Sequence, residues 1–164
     1  FGGVMIKLTF DTNCLFDYFE RQSGLIQNIM ELQNMGRVEI AITTRVKADT
    51  YGIRQDSPIW RKIHGFPCIT IPALGRYGVS YYDEDFYASE EDVELNDLIF
   101  SCIGKNIKNV KDADHLIGHI RSSRDIFVTS DSDDFIKHRK CLEEKCAVKI
   151  LTPEECLEHI RINQ

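Results

Sequence analysis

Residues 6–15 read IKLTFDTNCL, and this stretch decides the fold that the sequence predicts. The apolar run Ile6–Phe10 is typical of a buried strand, and a helical pattern follows it. Asp11 lies between the two, where the central strand of a parallel α/β sheet delivers side chains to its ligand-binding edge. An Asp in this position is more often a helix cap than a catalytic group. Asp11 by itself therefore does not indicate catalysis.

Two later segments also place acids beside buried elements. IFVTSDSDDF (126–135) is a second strand pattern that ends in carboxylates, and VKDADHLIGHI (110–120) opens a helix with Asp112 and Asp114. Carboxylates gathered at one sheet edge repel each other unless a cation holds them. Mg²⁺ and Mn²⁺ prefer oxygen ligands and combine one or two carboxylates with water and phosphate. The pattern predicts a divalent-metal site that acts on a phosphoryl group through metal-bound water.

Strand and helix patterns alternate along the 164 residues, which implies parallel pairing and right-handed crossovers. The expected fold class is α/β, a three-layer α/β/α arrangement with a central five-stranded parallel sheet. The five predicted strands cover residues 6–10, 38–42, 68–71, 126–129 and 148–151.

Residues 5–164 are expected to form one domain, because no linker or low-complexity segment interrupts them. Residues 1–4 are interpreted as a remnant of protein expression or a disordered N-terminus, and residues 72–108 as an atypical loop and helix excursion. Three tyrosines of this excursion either pack on the domain or form a stacking platform for bases. They are Tyr77, Tyr81 and Tyr82.

Composition limits the classes of function. The net charge of −6 argues against a protein that coats nucleic acid non-specifically, but it leaves room for a nuclease. No apolar run approaches the ~20 residues of a membrane span. The six cysteines contain no C-x-x-C pair and lie mostly among apolar neighbours, which favours reduced, buried thiols in a cytoplasmic protein.

Helical geometry separates the two acids of the 110–120 segment, because two residues turn a helix by about 200°. Asp114 lies one turn before Ile117, at the edge of the predicted apolar face. We therefore prefer Asp114 as a metal ligand and interpret Asp112 as a cap or a supporting group. His115 and His119 share a spacing that suits zinc, but a third ligand at a suitable spacing is lacking.

The ordered set of motifs resembles the PIN-domain nucleases, nearly from end to end. The segment least like that family is 72–108. The matching stretches are FDTN (10–13), RVKADT (45–50), DHLIGHI (114–120), FVTSDSDDF (127–135) and ILTPEECLEHI (150–160). The resemblance implies a metal-dependent ribonuclease that hydrolyses single-stranded RNA or structured RNA ends with Mg²⁺ or Mn²⁺.

The resemblance also implies roles for single residues. Asp11, Asp114 and Asp131 correspond to the core metal ligands, and Asp49 stands where the family usually has Glu. Its side chain is one methylene shorter, so it could reach the metal only through water. The auxiliary acid is Asp133 or Asp134, and the spacing favours Asp133. Polar support is expected from Thr12, Asn13, Thr129 and Ser130, and phosphate contacts from Arg45 and Lys47.

Several alternatives stay open. Many bacterial members of the family are halves of toxin–antitoxin pairs, so this protein could bind a small antitoxin-like partner. It could also form a homodimer. A PIN-like module that binds RNA or protein without cleaving it is favoured by Asp49 in place of Glu. A phosphatase or phosphotransferase of another acidic α/β family would need a second Asp shortly after Asp11, and the sequence has Thr12-Asn13 there.

Overall fold

The computed structural model describes residues 4–76, 85 and 87–163. The predicted tyrosine platform at Tyr77, Tyr81 and Tyr82 lies outside these residues, as do residues 1–3 of the predicted N-terminal remnant. Val4, the first described residue, is exposed.

The described residues form one parallel five-stranded sheet with the order β3-β2-β1-β4-β5. Each pair of neighbouring strands is parallel, with Leu8 of β1 aligned to Ile40 on one side and to Ile126 on the other. The predicted fold class is therefore confirmed. The strands are β1 (Ile6–Phe10), β2 (Val38–Thr43), β3 (Ile69–Ile71), β4 (Ile126–Val128) and β5 (Ile150–Leu151).

Eight α-helices connect these strands within the described residues. The first four are α1 (Thr12–Glu20), α2 (Gly24–Asn34), α3 (Val46–Asp49) and α4 (Pro58–His64). The last four are α5 (Glu90–Ile103), α6 (Val110–Arg121), α7 (Lys137–Cys146) and α8 (Pro153–Ile162). Two of them begin at a Ser or Thr followed three residues later by an acid, a pattern by which the sequence predicts a helix start: Ser89 with Asp92 and Thr152 with Glu155 both form capping boxes.

Two apolar clusters cover the two faces of the sheet. One contains Leu8, Phe10 and Ile40 with the apolar sides of α1, α2, α4 and α8. The other contains Phe127 and Ile150 with α5, α6 and α7. Helices therefore pack on both faces, as a three-layer α/β/α architecture requires.

Two helices differ from their predicted bounds. The sequence from Thr43 or Thr44 through Tyr51 predicts one helix, but the structure has only the four-residue α3 there. The Thr50 hydroxyl donates back to the Val46 carbonyl at 2.8 Å and competes with the helical pattern. The sequence predicts a second helix over residues 133–142, but α7 begins only at Lys137, and a π-helical turn, Ser132–Ile136, precedes it. This turn begins at Asp131, whose carboxylate accepts the backbone N–H groups of Asp133 and Asp134.

The expectation that all six cysteines are reduced is wrong for one pair. Cys102 of α5 and Cys141 of α7 form a disulfide, whereas Cys14, Cys68, Cys146 and Cys156 are free thiols. The two bonded residues are 39 positions apart, so their proximity arises only when α5 packs beside α7. None of the described helices combines the length and apolar character needed to cross a bilayer.

The order of the strands predicts a crevice at the carboxyl end of β1. The chain moves outward from β1 to β2 and β3, and it returns on the other side of β1 as β4. Ligands of parallel α/β sheets bind outside the carboxyl ends of the strands where this direction reverses. Asp11 follows β1 and residues 129–131 follow β4, so both segments flank this crevice.

Candidate functional site

Asp11 is held at the carboxyl end of β1 by two polar neighbours. Its Oδ1 accepts the backbone N–H of Thr12 at 2.8 Å, and its Oδ2 accepts the hydroxyl of Thr129 at 2.9 Å. The residue caps α1 and is only 5% exposed. Burial is the main cause that raises its pKa to about 6. Asp11 is therefore a cap, as its position predicts, and also a buried carboxylate beside the crevice.

Asp131 lies across from Asp11, just after β4. The Thr129 hydroxyl that donates to Asp11 also accepts the backbone N–H of Asp131 at 3.0 Å. Asp131 Oδ1 accepts the N–H groups of Asp133 and Asp134 at 2.9 and 3.0 Å. Thr129 therefore joins the two predicted acids, and these contacts agree with the support expected from it.

Asp112, Asp131 and Asp134 form the acidic cluster of this site. One carboxylate oxygen from each residue lies within 4.8 Å of the other two, and all three side chains are half-buried. Burial first, and then the carboxylates of Asp11, Asp134 and Asp131, raise the pKa of Asp112 to about 7. Crowded carboxylates of this kind are costly when ionised and are relieved by a cation.

Asp114, expected as a core metal ligand, lies outside the acidic cluster of the described residues. Asp114 is fully buried and lies with two arginines, 2.5 Å from Arg76 Nε and 3.2 Å from Arg45 Nε. Burial raises its pKa, and the two guanidinium groups act in the opposite direction. The apolar face of α6 does carry Asp114, as predicted, but that face meets the arginines and not the crevice. Asp112, one of the two acids that open α6, takes the position near Asp131.

The predicted phosphate contact of Arg45 is also wrong. Arg45 has no exposed surface; it contacts Asp114, lies 3.5 Å from Asp85, and donates to the Leu74 carbonyl at 2.5 Å. A side chain enclosed in this way cannot reach a substrate phosphate. Lys47 is half-buried on α3. Lys111, which the sequence did not single out, is nearly half exposed and lies 3.5 Å from Asp49 Oδ1.

Asp49 lies at the other side of Asp11 and is bonded by two donors. Its Oδ2 lies 2.7 Å from the Thr12 hydroxyl and 2.6 Å from His115 Nε2. Burial raises the pKa of Asp49, but His115, Thr12 and Lys111 outweigh it, so the net shift is downward. For His115, burial lowers the pKa, and the carboxylates of Asp49, Asp11 and Asp112 outweigh it, so the net shift is upward.

The remaining predicted support residues differ in their placement. Asn13 Oδ1 accepts the backbone N–H of Ser130 at 3.3 Å, which ties the starts of the two acidic segments together. Asp133 is exposed and is not among the three clustered acids, so the preference for Asp133 over Asp134 is not supported by the geometry. His115 and His119 have separate partners, because His119 Nδ1 lies 2.7 Å from the Thr9 hydroxyl.

Sequence reasoning named these residues in other roles: Asp112 as a cap or supporting group, Asp134 as the less favoured auxiliary acid, and His115 only as a candidate for zinc. Asp134 reaches the cluster because of the π-helical turn, and sequence periodicity does not predict such a turn. The signal for His115 was its place one turn after Asp112 on α6, next to the acids at the start of that helix. The donor set as a whole consists of half-buried carboxylate oxygens, the ligand type that Mg²⁺ and Mn²⁺ prefer, so these residues fit such an ion.

Comparisons of the sequence with protein-family models and with curated proteins find no match. Solved structures do match. One match is a chain of VapBC2 from Rickettsia felis, solved in complex with a fragment of its promoter DNA. It aligns with a TM-score of 0.57 and 16% identity, over 90% of this chain and 98% of that chain. A chain of DNA-bound VapBC from Salmonella typhimurium aligns with a TM-score of 0.50 and 16% identity over 91% and 99%. These similarities support a PIN-like fold for this protein.

Proposed function

We propose that this protein is a divalent-metal-dependent endoribonuclease of the PIN type. The observation that carries the proposal is the convergence of Asp112, Asp131 and Asp134 at the edge of the sheet where the strand order reverses. Asp11 lies beside them and contributes to the raised pKa of Asp112. Acids from three distant parts of the chain therefore face one crevice.

Each acid has a separate task in the proposed site. Asp112, Asp131 and Asp134 would hold Mg²⁺ or Mn²⁺, and Asp11 would complete the set from the end of β1. Such an ion lowers the pKa of bound water and polarises a phosphoryl oxygen. Thr129 fixes Asp11 and the backbone of Asp131 together, so that the carboxylates are pre-organised before substrate binds.

The proposed substrate is single-stranded RNA, cleaved to 3′-hydroxyl and 5′-phosphate products, as the resemblance to PIN nucleases implies. The net charge of −6 means that contacts to the RNA backbone must be local. Lys111 is the best placed cation for such a contact, because it is nearly half exposed and lies beside Asp49.

A protein partner belongs to the same proposal. The similar solved structures are DNA-bound VapBC complexes, which supports an antitoxin-like partner, and we propose that such a partner would cover the crevice. A homodimer is the alternative assembly. A cytoplasmic location follows from this interpretation, and the Cys102–Cys141 disulfide is the feature that argues against it.

The second candidate is a PIN-like module that binds RNA or protein without cleaving it. Asp49 favours this alternative, because it stands where the family usually has Glu and is bonded to Thr12 and His115. A module of this kind would keep the fold and the crevice but would have no metal-dependent turnover.

The test is incubation of the full chain with labelled single- and double-stranded RNA and DNA, in Mn²⁺ and in EDTA. We expect Mn²⁺-dependent cleavage of single-stranded RNA, and its loss in Asp131→Asn. Asp56→Asn is the matched control, because Asp56 is exposed and pairs only locally with Arg54. Absence of cleavage in Mn²⁺, or equal cleavage in EDTA, would favour the binding module.

A further inference from the structure

His115 is a buried polar side chain to which the proposed chemistry assigns no task. It is 1% exposed, lies on α6, and reaches across to residues of three other elements. Its Nε2 is 2.6 Å from Asp49 Oδ2 of α3, and its Nδ1 is 2.5 Å from the Thr43 hydroxyl at the end of β2. Both ring nitrogens are therefore engaged, and the ring cannot turn without losing a bond.

The direction of the bond to Asp49 follows from the chemistry of the acceptor. An ionised carboxylate only accepts hydrogen bonds, so Nε2 is the donor whatever the charge of the ring. The Thr12 hydroxyl donates to the same oxygen at 2.7 Å. Asp49 Oδ2 therefore has a donor for each of its two lone pairs. The other oxygen, Oδ1, lies 3.5 Å from Lys111 Nζ.

Thr12 extends this arrangement to Asp11. Its hydroxyl donates to Asp49, and its backbone N–H donates to Asp11 Oδ1 at 2.8 Å. The relay of hydrogen bonds, defined as Thr43, His115, Asp49 and Thr12, thus ends on the carboxylate of Asp11. Thr129 holds the other oxygen of Asp11 from the opposite side.

We propose that His115 is a positioning residue for the candidate active site, and that it acts through Asp49 and Thr12 to fix the carboxylate of Asp11. In this arrangement Asp49 supports Asp11 and is not itself a metal ligand. Both carboxylate oxygens of Asp49 already have partners within the protein, His115 and Thr12 on Oδ2 and Lys111 on Oδ1, in agreement with this assignment. The part of the inference that concerns the metal rests on the proposed function, whereas the positioning of Asp11 does not.

His119 offers a matched control for His115. It lies one turn later on the same helix, is equally buried at 1% exposure, and also bonds a threonine, Thr9. Its ring contact is with Phe127, and among the described residues the contacts of His119 involve none of the acids of the site. Replacing either histidine by Leu removes a buried hydrogen-bonding ring, so both variants lose stability, but only His115→Leu breaks the relay.

The experiment compares His115→Leu, Asp49→Asn, their double variant and His119→Leu in Mn²⁺ affinity and in kcat, below the melting temperature of each. We expect His115→Leu to weaken Mn²⁺ binding by about 10–100-fold, the range typical for loss of a partner that orients a ligand. Asp49→Asn should have a similar effect. The double variant should bind Mn²⁺ no more weakly than the single variant with the lower affinity. His115→Gln, whose amide can donate to Asp49, should recover part of the loss.

A readout in the metal-free protein separates this inference from the proposed function. The ¹³C signal of the Asp11 carboxyl group should move in His115→Leu and Asp49→Asn and stay in place in His119→Leu. An unmoved Asp11 signal would overturn the positioning role whether or not RNA is cleaved. Where the wild type binds Mn²⁺, unchanged affinity in His115→Leu or additive effects in the double variant would overturn it as well.

Discussion

Asp112 and Asp131 meet at the crevice although 19 positions separate them in the sequence. One carboxylate oxygen of Asp112 lies within 4.8 Å of one carboxylate oxygen of Asp131. One opens α6 and the other follows β4, so the contact exists only when the helix and the strand pack in this order. Acids brought together by the fold, against their mutual repulsion, are expected where a cation is bound.

The two acids of α6 should differ sharply when each is replaced by Asn. Asp112→Asn should weaken Mn²⁺ binding by at least about tenfold with little loss of stability, because it removes a proposed ligand from a half-buried site. Asp114→Asn should lower the free energy of unfolding by about 3–5 kcal/mol, because it leaves Arg45 and Arg76 without their shared carboxylate. Calorimetric titration with Mn²⁺ and chemical denaturation measure the two effects. The reverse result would place Asp114 in the site.

Asp11→Asn should abolish cleavage while the fold survives. The amide keeps an oxygen for the N–H of Thr12, so the helix cap remains, but the charge beside the cluster is lost. Gel assays of labelled RNA and circular dichroism report the two properties. Cleavage at the wild-type rate would remove Asp11 from the mechanism.

Metal binding should strengthen with pH between about 5.5 and 7.5. The pKa of Asp11 is raised to about 6 and that of Asp112 to about 7, and only the ionised forms bind a cation well. Titrations with Mn²⁺ in two buffers of different ionisation enthalpy should also show proton release below pH 7. A pH-independent affinity would contradict a role for Asp112 as a ligand.

The stability of the metal-free protein should change in the opposite direction. Between pH 3.8 and about 7 the folded state retains a proton on Asp112 that the unfolded chain has released. Stability from this group is therefore present below pH 3.8 and is lost as the pH rises through about 7. Asp112→Asn removes the effect, so its melting temperature should fall less than that of the wild type from pH 4.5 to 7.5.

The disulfide predicts a difference between oxidised and reduced protein. Reduction should lower the free energy of unfolding by about 2–4 kcal/mol, because the Cys102–Cys141 bond closes a loop of 39 positions in the unfolded chain. Cys102→Ser should not respond to reductant. Thiol titration of denatured, unreduced protein should find four thiols, since two of the six cysteines are bonded. Six thiols would contradict the bond.

The elements that sequence predicted well are those whose signals are local. The strand pattern of Ile6–Phe10, the capping box of Ser89 and the Thr152-Pro153 helix start each lie within a few residues, and each was confirmed. The position of Asp11 beside the crevice followed from the strand order that parallel sheets adopt.

The choice between Asp112 and Asp114 could not be made from local signals. The helical phase placed Asp114 at the edge of the apolar face, but which side chains Asp114 meets depends on Arg45 and on Arg76, which lies 38 residues away along the chain. The His115–Asp49 bond and the disulfide depend in the same way on the packing of distant helices.

The most direct test of the metal centre is a calorimetric titration of the wild-type protein with Mn²⁺ at pH 7.5, with Asp131→Asn and Asp56→Asn alongside. We expect saturable binding in the wild type and in Asp56→Asn, and its loss in Asp131→Asn. A wild-type protein that gives no heat of binding, or an Asp131→Asn variant that binds Mn²⁺ as tightly as the wild type, would contradict the central claim that these aspartates hold a divalent ion.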